Sequence, residues 1–208
     1  MPENNNPTNL MDGREATVFV WRIILCLGLI AHKLIWELLK QPNKEANPAQ
    51  KPYGTSPLKS VLKVIKVGVL AFLVIQTLFL NLFPFKRNSL WRRAIGSVLF
   101  FGGLATAIAG RLHLGNNWAN IEDYQVLPQQ SLVTNGIYHY IRHPIYAGDM
   151  LLLVGLQLAL NSKLLFAMFA PLLVIAKQAI AEETILAQQF PTYDDYRVQT
   201  KRFIPYVI

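Results

Sequence analysis

The sequence predicts an all-α integral membrane protein with about five transmembrane helices, the last two forming a helical hairpin. Hydrophobic residues make up 52% of the 208 residues and charged residues only 15%, against about 25% charged in an average soluble domain. The apolar residues also come in blocks. Val67 to Phe85 and Ala94 to Gly110 hold no charged residue, and Met150 to Ala176 holds only Lys163. A spanning helix needs roughly 20 mostly apolar residues.

In chain order, residues 1–15 are polar and rich in Asn and Pro, which predicts a disordered tail. They lack the basic start, short apolar core and small-residue cleavage site of a signal peptide. Residues 16–208 are expected to form a single transmembrane domain. The first crossing is placed at 16–40, where an apolar run carries Arg22, His32, Lys33 and Glu37. Cys26, the only cysteine, lies inside it, so no intramolecular disulfide or cysteine-cluster metal site is expected. The connector "QPNKEANPAQKPYGTSP" leads to a second crossing at 58–83. "FPFKRNS", with Pro84 as a breaker, leads to a third at 90–110.

The last apolar block is too long for one crossing. A single helix over 150–176 would run about 40 Å against a hydrocarbon core of about 30 Å. "NSK" at 161–163 interrupts it with turn formers and a charge, predicting helices at 144–160 and 164–189. The hairpin brings "RHPIY" and "AEETILAQQF" to one face. Pro191 then starts a short helix that places Tyr193 and Tyr196 on one side.

The formal charge is +8. Nucleic acid is not the expected partner, because the basic residues sit at the ends of apolar segments, where they orient helices and meet lipid head groups. Five crossings put Lys40, Lys44, Lys51, Lys59, Arg111, Arg142, Arg197, Lys201 and Arg202 on one side. Arg14, Lys86, Arg87, Arg92, Arg93 and Lys163 fall on the other. The richer side is expected in the cytoplasm and the N-terminus outside. Nothing in the sequence calls for an obligatory protein partner.

The polar stretch "GIYHYIRHPIYAGD", residues 136–149, carries the candidate chemistry. Asn135-Gly136 signals a turn. Pro144 suits the first position of a helix, whose free N–H groups can seat an anion beside Arg142 and His143. Tyr138, Tyr140 and Tyr146 add aromatic surface. Two roles suit this stretch: an interfacial aromatic and basic belt, or a ligand seat. Glu182 and Glu183 follow on the last helix. One is expected to be a solvated helix end and the other to face the cavity above the hairpin. An anion seat, aromatic faces and a carboxylate suit a zwitterionic nucleoside such as S-adenosylmethionine, and methyl transfer needs positioning more than a side-chain nucleophile. Of the remaining polar residues, His32 is expected at the membrane interface and His139 in water. Asp149 is expected to favour the dipole of its own helix, and Lys201 and Arg202 to anchor the chain at the membrane surface.

Through "RLHLGNNWA", "LVTNGIYHYIRHPIYAGD", "AEETILAQQF" and "YDDYRVQTKRFIP", over roughly residues 111–206, the chain resembles the isoprenylcysteine carboxyl methyltransferase and phospholipid methyltransferase family, as a bacterial-type member. The resemblance implies that Gln130, Ser131, Leu132, Val133, Tyr138, His143, Pro144, Ile145 and Tyr146 surround S-adenosylmethionine on the cytoplasmic face and that Glu182 closes the site. It implies substrate contacts at Gln178, Arg111, His113 and Trp118, with lipid access from within the bilayer. The implied acceptor is an isoprenylcysteine-like carboxylate, a phospholipid amine or a small thiol. Gln178 stands where the family carries a basic residue, and "FPTY" replaces its usual "FG". Two other functions share parts of this pattern: a sterol-type reductase using a reduced nicotinamide dinucleotide, through the "HPxYxG" segment, and a non-catalytic membrane binding protein of the same fold.

Overall fold

The computed structural model describes residues 8–39, 57–87, 89–117 and 131–207. Six α-helices organise them: α1 Thr8–Leu38, α2 Pro57–Phe79, α3 Leu90–Leu114, α4 Pro144–Ala159, α5 Phe169–Gln189 and α6 Tyr193–Gln199. Among the described residues there are no strands, only two isolated bridges. The protein is an all-α integral membrane protein. Glu15–Leu38, Leu90–Leu114 and Lys163–Gln189 are long and apolar enough to cross a bilayer, and Val64–Phe79 and Pro144–Ala159 are shorter apolar helices.

Two boundaries differ from expectation. α1 begins at Thr8, so the expected tail of residues 1–15 gives its second half to the helix; residues 1–7 lie outside the described residues. Once the apolar part of a helix is formed, each further residue adds a hydrogen bond at little cost, and no proline stops it here. α2 ends at Phe79 rather than 83, because Phe83 turns to a positive φ of 46° and Pro84 bridges to Ser162.

The hairpin turn forms at the expected "NSK". Asn161 takes a left-handed φ of 56°, a conformation Asn tolerates better than most side chains. Ser162 donates its hydroxyl to the Leu82 carbonyl at 2.8 Å and accepts from the Leu164 amide. A 3-10 stretch, Lys163–Met168, then leads into α5.

α3 and α4 form the centre of the bundle and run antiparallel in backbone contact. A Cβ placed on Gly96 would lie 2.2 Å from the Ala159 amide nitrogen, and one on Gly155 2.3 Å from that of Phe100. Gly103 and Gly148 face each other the same way. Close approach through small residues is how membrane helices gain packing energy without a hydrophobic drive between them. It also explains how α4 persists in a bilayer. Its 16 residues span about 24 Å, short of a roughly 30 Å core, but α3 covers much of it.

Around this pair, Leu25 and Leu29 of α1, Leu73 of α2, Phe100 of α3 and Leu152 and Leu156 of α4 form the buried core. Gln76 of α2 and Gln157 of α4 exchange two amide hydrogen bonds, 2.8 and 3.1 Å, with both side chains fully buried. α5 stands apart. Among its described residues only Ala179 and Glu183 are buried, while Phe169, Leu173, Val174 and Ile180 face outward.

Candidate active site

Because α4 runs antiparallel to both α3 and α5, one end of the bundle gathers the C-terminal ends of α3 and α5, the N-terminal end of α4, and α6 with the chain that follows it. Residues 131–143 lead into it from the α3 side.

The turn before α4 is built around Gly136, whose φ of 60° and position against the His113 ring exclude a side chain. Tyr138 follows, buried. The phenol of Tyr196 on α6 donates to the Tyr138 carbonyl at 2.7 Å. Burial pushes the Tyr196 hydroxyl up to about 12, so it remains a donor at physiological pH. Burial, reinforced by Glu182 and Tyr196 and opposed by Arg111, also raises the Tyr138 phenol. The segment is further stapled to the C-terminal chain. The amides of Arg142 and His143 donate to the carbonyls of Lys201 and Arg202 at 2.8 and 3.1 Å.

His143 sits at the N-cap of α4, with no side chain capping the first turn. The Ile145 amide therefore falls among those without an intrahelical partner. The His143 and Tyr146 rings stack at 5.4 Å with 16° between planes, and Phe203 packs near the imidazole at 5.9 Å. The Tyr146 hydroxyl donates to Glu182 Oε2 at 2.9 Å.

The two adjacent glutamates have different roles. Glu183, not Glu182, is the buried one, at 5% side-chain exposure. Its Oε1 accepts from Arg142 Nε at 3.0 Å, Arg202 Nε at 2.9 Å and His143 Nε2 at 3.2 Å; Oε2 accepts from Arg202 Nη2 at 2.7 Å. Glu182 is 46% exposed and rests on Tyr146 alone, with His143 Nδ1 3.9 Å away. Successive side chains on a helix point about 100° apart, so the face α5 turns to α4 buries one carboxylate and leaves its neighbour at the rim.

Three further expectations change. Arg142 was expected beside a ligand seat. Its Nε serves Glu183 and its Nη1 serves the carbonyls of Arg197 and Thr200, so it is a structural tie. Arg202, expected to anchor at the membrane surface, is drawn inward by Glu183. Arg111, expected at the substrate entrance, is 2% exposed; it donates to the Gly115 carbonyl at 3.0 Å and to that of Leu39, joining the ends of α3 and α1. Each cation has met unpaired carbonyls or a carboxylate of its own chain, which a buried guanidinium requires.

Of the other expected contacts, Pro144 and Ile145 are buried against Gly110. Ser131 bonds through its amide to Asn117 Oδ1 at 2.7 Å, and Leu132 and Val133 are half-buried. His113 is exposed and bonded to the Ala109 carbonyl. Gln178 is half-buried, one turn before Glu182. Gln130 and Trp118 lie outside the described residues. The structure thus brings together Tyr138, His143, Pro144, Tyr146 and Glu182. The Glu183 centre was not expected from sequence; the signal available was two arginines and a histidine in motifs flanking a lone pair of carboxylates. Among the described residues, no group of three or more His, Cys, Asp or Glu is arranged to hold a metal ion.

The fold and site together define a helical membrane protein with a polar, aromatic and acidic candidate site at one end of the bundle. The family model for phospholipid methyltransferases matches residues 91–193. The chain is 27% identical to protein-S-isoprenylcysteine O-methyltransferase A of Arabidopsis thaliana, covering 71% of this chain and 78% of that protein. It is 28% identical to a nickel-cobalt-cadmium resistance protein of Alcaligenes xylosoxydans xylosoxydans, covering 72% and 69%. Its fold matches the solved structure of the eukaryotic intramembrane Ras methyltransferase, an isoprenylcysteine carboxyl methyltransferase, with a TM-score of 0.61 and 21% identity over 91% of this chain and 67% of that one. Residues 91–193 thus match the phospholipid methyltransferase family, and the chain is similar over most of its length to isoprenylcysteine methyltransferases.

Proposed function

We propose that this protein, with residues 16–208 acting as one domain, transfers a methyl group from S-adenosylmethionine to a lipophilic acceptor at the His143 end of the bundle. The observation that carries this reading is Glu182, a half-exposed carboxylate set on the Tyr146 hydroxyl beside a stacked His143–Tyr146 pair and an uncapped helix N-terminus. These groups suit the parts of the ligand. The first-turn amides of α4 would take its carboxylate. Glu182 would take its ammonium or ribose hydroxyls, and the aromatic rings would wall its apolar and sulfonium parts. Bound there, S-adenosylmethionine supplies an electrophilic methyl group. The chain's own residues orient it and exclude water. The acceptor is an isoprenylcysteine-like carboxylate, a phospholipid amine or a small thiol reaching the site from the bilayer.

Calorimetric titration of the protein in lipid nanodiscs tests the reading. S-adenosylmethionine should bind and a reduced nicotinamide dinucleotide should not; the reverse outcome would make the protein a reductase, and binding of neither a non-catalytic relative. Glu182→Gln should weaken S-adenosylmethionine about ten- to a hundredfold, the range for a charge-assisted hydrogen bond of roughly 1.5–3 kcal/mol. It should leave unfolding unchanged, because Glu182 is at the rim. An unchanged affinity removes Glu182 from the site.

The site is assigned to the cytoplasmic face and the N-terminus to the outside, on the basic bias described above. In a background lacking Cys26, cysteines at the exposed positions Lys163 and Gln199 report the two ends. An impermeant thiol reagent applied outside should label the first and spare the second; the opposite pattern inverts the protein.

A further inference from the structure

One ionisable pair lies outside the site described so far. His32 of α1 and Asp149 of α4 meet across the two helices, Nε2 to Oδ1, at 2.9 Å. Both fall within apolar helices, His32 in a candidate membrane span and Asp149 in a shorter apolar helix. Ionisable side chains on membrane helices are costly and are functional candidates by default.

An interhelical tie is the simplest alternative, and Gln76–Gln157 shows what a tie looks like here: fully buried and reciprocally satisfied. The His32–Asp149 pair is different. Its side chains are 25% and 32% exposed. Among the described residues, neither His32 Nδ1 nor Asp149 Oδ2 has a hydrogen-bond partner. The Trp36 ring lies over the imidazole, 4.1 Å between centroids and 21° between planes, and holds it in place. Asp149 is also one turn beyond Tyr146 on α4, so the pair adjoins the Tyr146 side of the site.

A carboxylate accepts, so the contact puts the imidazole proton on Nε2 and leaves the Nδ1 lone pair free. This is a base with a carboxylate orienting it from behind. We infer that His32 is the proton acceptor of the methyl transfer, that Asp149 positions it, and that the methyl acceptor is a lipophilic amine, thiol or alcohol rather than a carboxylate. This rests on the methyl-transfer reading above. The acceptor's nitrogen, sulfur or oxygen lone pair forms the new bond to the methyl carbon, and the carbon–sulfur bond of the sulfonium breaks with its electron pair remaining on sulfur. The acceptor's proton moves to His32 Nδ1, and Asp149 stabilises the imidazolium until water removes the proton. A carboxylate acceptor has no proton to surrender and would meet the charge of Asp149.

The experiment uses the full chain in nanodiscs with S-adenosylmethionine and three probes: decanethiol, decylamine and decanoate. The thiol or the amine should be methylated and decanoate should not. His32→Gln and Asp149→Asn should each lower kcat about a hundredfold, within the range of general-base catalysis, with S-adenosylmethionine affinity within twofold of wild type. The His32→Gln deficit on decanethiol should shrink as pH rises toward the thiol's own ionisation, because a thiolate needs no base. A structural role would not move with pH in this way. The titratable and charged groups at this end, among the described residues, include Lys33 and Glu37 on α1, Arg111 and His113 on α3, Tyr138, Arg142, His143 and Tyr146 before and at the start of α4, Glu182 and Glu183 on α5, and Tyr193, Tyr196 and Arg202 at the C-terminal end. Lys33 pairs with Glu37 and His143 with Glu183, and Lys33→Gln serves as the control for a nearby charge. A readout independent of turnover is the 15N spectrum of histidine-labelled protein, in which Asp149→Asn should shift the His32 Nε2 resonance as the hydrogen bond to the carboxylate is lost. Normal turnover in both variants, a pH-independent deficit, loss of S-adenosylmethionine binding in both, or methylation of decanoate alone or of no probe each overturns the inference. If the wild-type protein fails to bind S-adenosylmethionine, the methyl-transfer reading itself falls and the inference with it.

Discussion

Gly155→Leu should unfold the bundle or prevent its assembly. The reason is geometric. A Cβ at Gly155 would lie 2.3 Å from the Phe100 amide nitrogen and 2.7 Å from the Gly96 carbonyl oxygen. Both are backbone atoms of α3, which no rotamer change can move. Unstrained contacts lie near 3.5–4 Å, so α3 must retreat by more than about 1 Å along its contact with α4. That retreat would open the core at Phe100 and Leu156 and uncover a helix too short to span alone. The loss should exceed the roughly 1–3 kcal/mol of an ordinary overfilled core. Gly102→Leu is the matched control, since nothing lies within 4 Å of its would-be Cβ; it should stay within about 0.5 kcal/mol. Thermal unfolding and monodispersity after detergent extraction measure both. Equal behaviour of the two variants would mean that the close contact between α3 and α4 is not what holds the protein together.

Glu183→Gln should release the C-terminal segment from the site. Glu183 is the common acceptor for Arg142, His143 and Arg202. Arg142 is 8% exposed, so an uncharged partner leaves a nearly buried cation without its counter-ion. Breaking a buried ion pair costs about 3–5 kcal/mol. Arg202 is 30% exposed and can turn to water, which puts the expected loss at the lower end of that range. The backbone bonds from Arg142 and His143 to Lys201 and Arg202 depend on the same anchoring. Amide exchange at residues 141–143 and 201–203 should therefore accelerate before the rest of the protein does. S-adenosylmethionine binding should weaken as a consequence, since His143 loses its orientation. Exchange at wild-type rates would show that Glu183 is dispensable to the docking of the tail. The contrast with Glu182 is sharp: there affinity should fall with stability unchanged.

What the sequence determined by itself is whatever depends on local pattern. The apolar blocks set the membrane class and the helices, since a run such as Ala94 to Gly110 satisfies its backbone in lipid by forming a helix. "NSK" set the hairpin, because Asn161 and Ser162 make the turn from their own backbone and hydroxyl chemistry. The motifs around Arg142 to Tyr146 and Glu182 to Glu183 marked the site, and the hairpin brought them to one end. Only the structure gave meaning to the seven-residue spacing of Gly96, Gly103 and Gly110, and of Gly148 and Gly155, which traces the α3–α4 contact. Tertiary structure alone decided how neighbouring residues divide their roles. Glu182 and Glu183 are chemically identical and adjacent, and only the rotation of α5 against α4 buries one of them. Arg142 and Arg111 look like ligand contacts in sequence and Arg202 like a surface anchor, but the carbonyls and the carboxylate that claim them come from segments 4 to 72 residues away. His32 and Asp149 stand 117 positions apart. Neither residue carries a local sign of the other, because the energy of a buried charge is set by the partner that packing brings to it.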